Sequence, residues 1–301
     1  MTAPFDLKGF LAQEAERVQA ALERALAAVE GTLGPDVAEA TRHGVLSGGK
    51  RLRPILCVAA YRACGGSEGD AIYDLAASLE LIHAYSLMHD DLPCMDDADL
   101  RRGRPTTHRA HGEDVTLRAG AALIPAAALQ AWRATERLGC PPATRAEVVD
   151  TLLTASGADG MVGGQWVDLE AEGKAVTPED LDGLHRRKTG ALLAAALDMG
   201  TLAAGAPPEP REAFHRYGRA IGLAFQIADD ILDATSTAAT LGKNPSDNDL
   251  SKSTYVALYG LAEARRRAEG QVGEALAAVQ DAGVAAPALE ALARYVVARR
   301  H

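Results

Sequence analysis

The chain has 301 residues, 31 basic against 41 acidic, for a net charge of -10, and is 48% hydrophobic with only 4% aromatic residues. This acidic balance opposes general attraction to nucleic acid or to an anionic membrane surface. No apolar run reaches the roughly 20 residues that span a bilayer, so no membrane span is expected. Richness in Ala, Leu, Glu and Arg, which lose little on entering a helix, predicts an all-α fold.

The first 10 residues lack a basic stretch followed by an apolar core, so no secretory leader is expected there. Cys57, Cys64, Cys94 and Cys140 form no CxxC pair. Neither a zinc site nor a disulfide framework is indicated, and reduced thiols in a cytoplasmic protein are expected.

Apolar periodicity predicts helices over Phe5 to Val29, Ile72 to Met88, Ala143 to Ser156, Pro178 to Ala204, Pro210 to Leu232 and Ser253 to Ala277. Glycine- and proline-rich turns separate them, among them Gly65-Gly66-Ser67, Gly103-Arg104-Pro105, Gly139 to Pro142 and Gly205 to Pro210. Thr177-Pro178-Glu179-Asp180 combines a capping hydroxyl, a first-turn proline and early acids, a helix start. No repeat or linker divides the chain, so 1–301 is read as one domain. The mixed charge of Phe5 to Val29 favours a packing or dimer helix over a membrane anchor, and Trp166 is read as a packing residue.

Two acidic clusters stand out. His89-Asp90-Asp91-Leu92-Pro93-Cys94-Met95-Asp96-Asp97 follows a helix that Pro93 stops, so Asp90 and Asp91 leave its last turn and Asp96 returns from the loop. Carboxylates gain nothing from the dipole at a helix carboxyl end. A metal role is therefore favoured over a structural one, and oxygen donors without sulfur suggest magnesium, completed by substrate phosphates. In Phe225 to Asp233, helical spacing places Gln226, Asp229, Asp230 and Asp233 on one polar face. Alone, that face would more often be a solvated surface. Three basic clusters weigh against that: Lys50 to Arg53 beside Gly48-Gly49, Arg101-Arg102-Gly103-Arg104, and His185 to Lys188. A helix begun near Pro54 would offer its start and its cations to phosphate. His83, on an apolar helix, reads equally as a core histidine, and Asp168 as a structural acid.

In order and combination, Gly48 to Pro54, His83 to Asp91, Arg101-Arg102-Gly103, His185 to Gly190, the second acidic cluster and Lys252-Ser253-Thr254-Tyr255 resemble the trans-prenyl diphosphate synthases, most closely the bacterial farnesyl diphosphate synthases. The resemblance covers nearly the whole chain after about residue 40. It implies a single-domain isoprenoid synthase bundle, the two aspartate motifs facing each other across a central cavity. It implies Asp90, Asp91, Asp96, Asp229 and Asp233 as the metal-binding set, with three magnesium ions per site. Lys188, Arg101 and Lys243 would grip an allylic diphosphate, and Lys50, Arg53, His83 and Arg102 would hold isopentenyl diphosphate. Thr189 and Gln226 would turn oxygen dipoles towards the allylic cation, and Lys252 would assist the leaving group or closure. A homodimer is the implied assembly.

Product length is a separate expectation. Tyr85, with Ser86 beside it, lies five residues before Asp90, about 7.5 Å down the helix axis. In the family, an aromatic there together with the Pro93-Cys94 insertion is the C15 pattern, although Tyr85 also reads as an ordinary core aromatic. The resemblance leaves open a C10 or C20 synthase and a noncatalytic regulatory subunit. Departures are Ala121 where the family has an aspartate, His111 at an aromatic position, a shortened Lys243 to Asp247 loop, and Val256 for a proline.

Overall fold

The computed structural model describes residues 5–174, 176–235 and 254–298. Lys243 and Lys252, and the loop from 243 to 247, lie outside them. Among the described residues the helices are α1 (Leu7–Glu30), α2 (Pro35–Leu46), α3 (Leu52–Ala63), α4 (Asp70–Asp90), α5 (Thr107–His111), α6 (Glu113–Arg137) and α7 (Pro142–Ser156). They continue with α8 (Met161–Ala171), α9 (Pro178–His185), α10 (Ala191–Ala203), α11 (Pro208–Thr235), α12 (Tyr255–Tyr259), α13 (Leu261–Asp281) and α14 (Pro287–Ala298). A hairpin of β1 (Leu100–Arg101) and β2 (Arg104–Pro105) is the described sheet.

The fold is all-α, and its centre is made of helices that are apolar nearly all round. Ile72, Leu75, Leu79 and Ile82 of α4, Ile55 and Leu56 of α3, and Leu192 and Leu197 of α10 are fully or almost fully buried. Each such side chain contributes about 1.5–3 kcal/mol of burial. Within this centre α3 packs on α10, and other helices surround it: α6 and α1 pack on α4, α7 on α10, and α13 on α11.

Acids that face inward on α1 and α4 are matched by arginines reaching across from neighbouring helices. Asp74 meets Arg24 at 2.7 Å and Arg137 at 3.0 Å. Glu14 accepts from Arg62 at 2.8 Å and from the Tyr73 hydroxyl at 2.7 Å. A buried charge is tolerated when so paired, and these pairs bind α1, α3, α4 and α6 into one frame.

Two expected helices are divided. Pro178 begins α9 as predicted, with the Thr177 hydroxyl accepting from the Asp180 N–H at 3.2 Å. The run then passes through a π-helical segment, Arg186–Gly190, before α10. Such wider turns recur at functional sites. The run expected from Ser253 to Ala277 breaks at Gly260, whose φ of +75° is left-handed. The long α6, between the turn signals near 103 and 139, is not delimited by periodicity. Trp166 is also not a packing residue, since it is 64% exposed.

Candidate active site

Helix α4 ends where the sequence predicts. The Asp96 N–H donates to the Asp90 carbonyl at 2.9 Å, and those of Met95 and Asp97 donate to the Leu92 carbonyl, so the loop folds back over the helix end. Asp97 takes a φ of +45°. This return places Asp96 beside Asp90, both half-buried. Burial above all, and the neighbouring charges of Asp96 and Asp91, push the Asp90 carboxyl up to about 7 although Lys188 and Arg101 oppose the shift. Crowded carboxylates of this kind are what a cation relieves.

Asp91 is set apart from that pair. It is 3% exposed. Arg101 Nε donates to both of its oxygens at 2.8 Å, and Arg101 Nη2 reaches Oδ1 at 2.5 Å. The hairpin presents this guanidinium: Arg102 and Gly103 have φ of +54° and +73° between the paired Arg101 and Arg104, the type I′ pattern that suits a two-residue turn. Arg101 therefore spends its fork on Asp91 rather than projecting freely into the cleft.

The cations expected for the second diphosphate gather around His83. Helix α3 starts at Leu52, two residues before Pro54, and its cap Arg51 is left-handed at φ +50°. Arg51 is buried against Glu80 at 2.6 Å and donates to the Val45 carbonyl at 3.0 Å. Arg102 donates to the Gly48 carbonyl. Its guanidinium lies so close over Gly49 that a Cβ there would come within 2.6 Å, so the Gly48-Gly49 turn serves close approach. Arg53 Nε is buried without a described partner. Burial first, then the charges of Arg53, Arg102, Arg101 and Arg51, hold His83 well below its usual pKa. One neutral imidazole thus stands among four guanidiniums. Lys50 is exposed at the rim.

The second motif is arranged on α11. Asp229 and Asp233 are half-buried and Asp230 is 5% exposed. Asp230 accepts from Gln226 Nε2 at 3.0 Å and from the Tyr255 backbone N–H at 2.8 Å. Gln226 Oε1 in turn accepts from the Thr189 hydroxyl at 3.1 Å, and the fully buried Tyr255 donates its hydroxyl to Asp182 at 2.5 Å. This chain of hydrogen bonds ties α9, the π segment, α11 and the start of α12 together. Burial and Asp182 raise the Tyr255 pKa, so the phenol remains a donor.

Each motif feels one of the cations: Lys188 opposes the rise that burial imposes on the Asp90 pKa, and Asp229 opposes the fall that burial imposes on that of Arg53. Lys188 itself is paired with Asp168. From the sequence Asp168 reads as a structural acid, Tyr255 only as the last residue of the Lys252-Ser253-Thr254-Tyr255 segment, and Asp182 and Glu80 do not stand out. The spacing of Gly163-Gly164 to Asp168 is the available signal for the first; the others depend on contacts between helices distant in sequence. Tyr85 is 7% exposed and makes an edge contact with His89, ring centroids 5.6 Å apart. Ser86 donates to the His83 carbonyl at 3.0 Å within its own helix. His111 meets His43 edge-on at 5.1 Å, and Ala121 is exposed on α6.

Among the described residues no group of three or more His, Cys, Asp or Glu side chains is gathered tightly enough to hold a metal alone. A separate cavity of about 410 Å³ opens where the π segment meets α7, α10 and α11, lined in part by Asp159, Arg186, Asp198, His215 and Arg219. It holds none of the paired aspartates. The paired aspartates lie instead with the Arg53 and Lys188 cations, at the ends of α4 and α11.

The polyprenyl synthetase family matches residues 35–292. The chain belongs to this family and is a prenyltransferase. It is 44% identical over 270 residues to farnesyl diphosphate synthase of Escherichia coli, covering 87% of this chain and 89% of that protein. It is 41% identical over 305 residues to geranylgeranyl pyrophosphate synthase 11, chloroplastic, of Arabidopsis thaliana, covering 99% and 83%. The crystal structure of geranyltransferase from Helicobacter pylori, complexed with magnesium and isoprenyl diphosphate, superposes with a TM-score of 0.80 at 29% identity, covering 99% and 98%.

Proposed function

We propose that this enzyme joins isopentenyl diphosphate head-to-tail to dimethylallyl or geranyl diphosphate and makes mainly the C15 product, farnesyl diphosphate. The observation that carries the reading is the pairing of two acidic motifs with two separate groups of cations. One group, around Lys188, serves a leaving allylic diphosphate; the other, around His83, serves a diphosphate that is kept.

Asp90, Asp96, Asp229 and Asp233 are oxygen donors suited to magnesium, and the raised Asp90 pKa reflects burial first and then the neighbouring carboxylates, both of which a divalent ion would offset. Magnesium held by these carboxylates would be completed by oxygens of the substrate diphosphate, as this ion prefers. Three ions per site are proposed, and their chemistry is stabilisation of the charge leaving with pyrophosphate. Lys188, steered by Asp168, adds a fixed positive charge at that end. Thr189 and Gln226, held by Asp230, present oxygen dipoles to the allylic carbon as its bond to oxygen breaks. Lys50, Arg53, His83 and Arg102 hold isopentenyl diphosphate so that its alkene faces that carbon, and orientation of this kind supplies much of the rate. Released pyrophosphate takes the proton. Lys243 and Lys252 are proposed as further cations at the leaving group.

Tyr85, nearly buried below Asp90, is proposed as the floor of the tail cavity. Tyr85→Ala should shift the product beyond C15 in an active enzyme, and an unchanged C15 product would reject it as the floor. A homodimer in the cytoplasm is proposed. The exposed apolar Leu117 and Leu129 of α6 and Leu153 of α7 support an interface between copies; light scattering in solution checks it. The central reading is tested by incubating purified protein with labelled isopentenyl diphosphate and either allylic diphosphate, with and without magnesium. Well-folded protein that elongates neither would overturn it.

A further inference from the structure

The Lys188 wall of the cleft contains a polar group without an evident structural task. Gln165 is 8% exposed, and both Oε1 and Nε2 of its side chain are buried with no hydrogen-bond partner among the described residues. A buried amide left so costs about 1–3 kcal/mol per unsatisfied group, and its replacement by leucine would be expected to remove that cost. Native proteins keep few such groups, and each calls for an explanation.

Its location supplies one. Gly164 lets α8 press against the π segment, for a Cβ there would come within 2.5 Å of the Lys188 Cα. One turn on, Asp168 grips the Lys188 ammonium. Gln165 and Asp168, three apart on a helix, lie on neighbouring positions of one face, whereas Trp166 points away into solvent. The unpartnered amide therefore sits on α8 alongside the residue that steers Lys188. An amide has two N–H donors and one carbonyl acceptor, a complement for phosphate oxygens and for the water around them.

We infer that Gln165 is a substrate contact, its Nε2 donating to the diphosphate of the allylic substrate beside Lys188, so that the missing hydrogen bonds of the free enzyme are made when that diphosphate binds. This deepens the proposed function and rests on it for the identity of the ligand. The alternative is an amide that pairs only with trapped water or with nothing.

The test compares wild type with Gln165→Leu and Gln165→Met. Thermal unfolding is followed with and without magnesium and inorganic pyrophosphate, and the KM for each substrate is measured with the other saturating. The expected result is a pyrophosphate-induced rise in Tm at least halved in both variants. The allylic KM should rise about tenfold, the isopentenyl KM should stay within about twofold, and the Tm without ligand should be unchanged or higher. Equal pyrophosphate shifts and an unchanged allylic KM, with a raised unliganded Tm, would overturn the inference and leave Gln165 a mere burial cost. Gln165→Met, close in volume, keeps the test open if leucine fails to fold. Should wild type bind magnesium pyrophosphate without elongating either allylic substrate, the proposed function fails while the comparison of Tm shifts still decides whether Gln165 contacts a diphosphate.

Discussion

The two aspartate motifs share a plan and differ in how it is carried out. In each, the second member of the paired aspartates is buried, Asp91 at 3% and Asp230 at 5% exposure, while Asp90, Asp96, Asp229 and Asp233 stay half-buried. Asp91 is neutralised by a cation, the Arg101 guanidinium on a hairpin. Among the described residues, Asp230 accepts from the Gln226 amide and the Tyr255 backbone N–H. The Arg101 cation cancels charge at the first motif, whereas the described hydrogen bonds of Asp230 fix the orientation of Gln226 and, through it, of Thr189.

The comparison breaks most sharply at Asp90. Asp90→Asn should lower kcat/KM by at least about 100-fold while Tm stays level or rises, because the substitution removes charge from a crowded site; a large fall in Tm would mean that Asp90 is structural. Next is Asp91. Asp91→Asn leaves Arg101 without its charge partner and should cost about 2 kcal/mol, less than the 3–5 typical of a fully buried pair because Arg101 keeps part of its surface exposed. Activity should fall about tenfold, and Asp91→Asn combined with Arg101→Leu should recover stability without recovering activity. Urea unfolding and steady-state kinetics separate the two effects.

Asp230→Asn should behave differently. Losing the carboxylate acceptor at the Tyr255 N–H should cost about 1–2 kcal/mol and reduce kcat several-fold, with metal affinity unchanged in titrations read by pyrophosphate-dependent protection. A matching loss of metal affinity would make the two motifs equivalent after all. The smallest effect concerns His83, whose folded pKa lies well below the unfolded value near 6.5. Between those two values the unfolded chain binds the proton and the folded protein does not, so His83 reduces stability as pH falls below about 6.5. His83→Asn should flatten that part of the stability curve, and an unchanged acid limb would show that His83 is not held neutral.

Much of the site is legible in the amino-acid sequence. Proline at 93 and carboxylates at 90, 91 and 96 define a helix end and a returning loop through local sterics, and spacings of three and four on α11 define one polar face. Helix starts with strong local chemistry, such as Thr177-Pro178, also fall where expected. The π segment does not announce itself, because a single inserted turn leaves the apolar periodicity on both sides nearly intact. Trp166 departs from expectation since an aromatic residue signals burial on average and nothing local reveals an unpartnered helix face.

Residue type and short-range spacing by themselves determined that this chain is helical, that it carries two acidic helix ends, and that it has cations enough for two diphosphates. Only the tertiary structure decided which carboxylates are spent on holding the site together: Asp91 by Arg101, Asp168 on Lys188, Asp182 and Asp230 on Tyr255. Neighbouring aspartates have identical chemistry in sequence. Their roles diverge through burial and through partners up to 73 positions away along the chain, and only the packed helices bring those together.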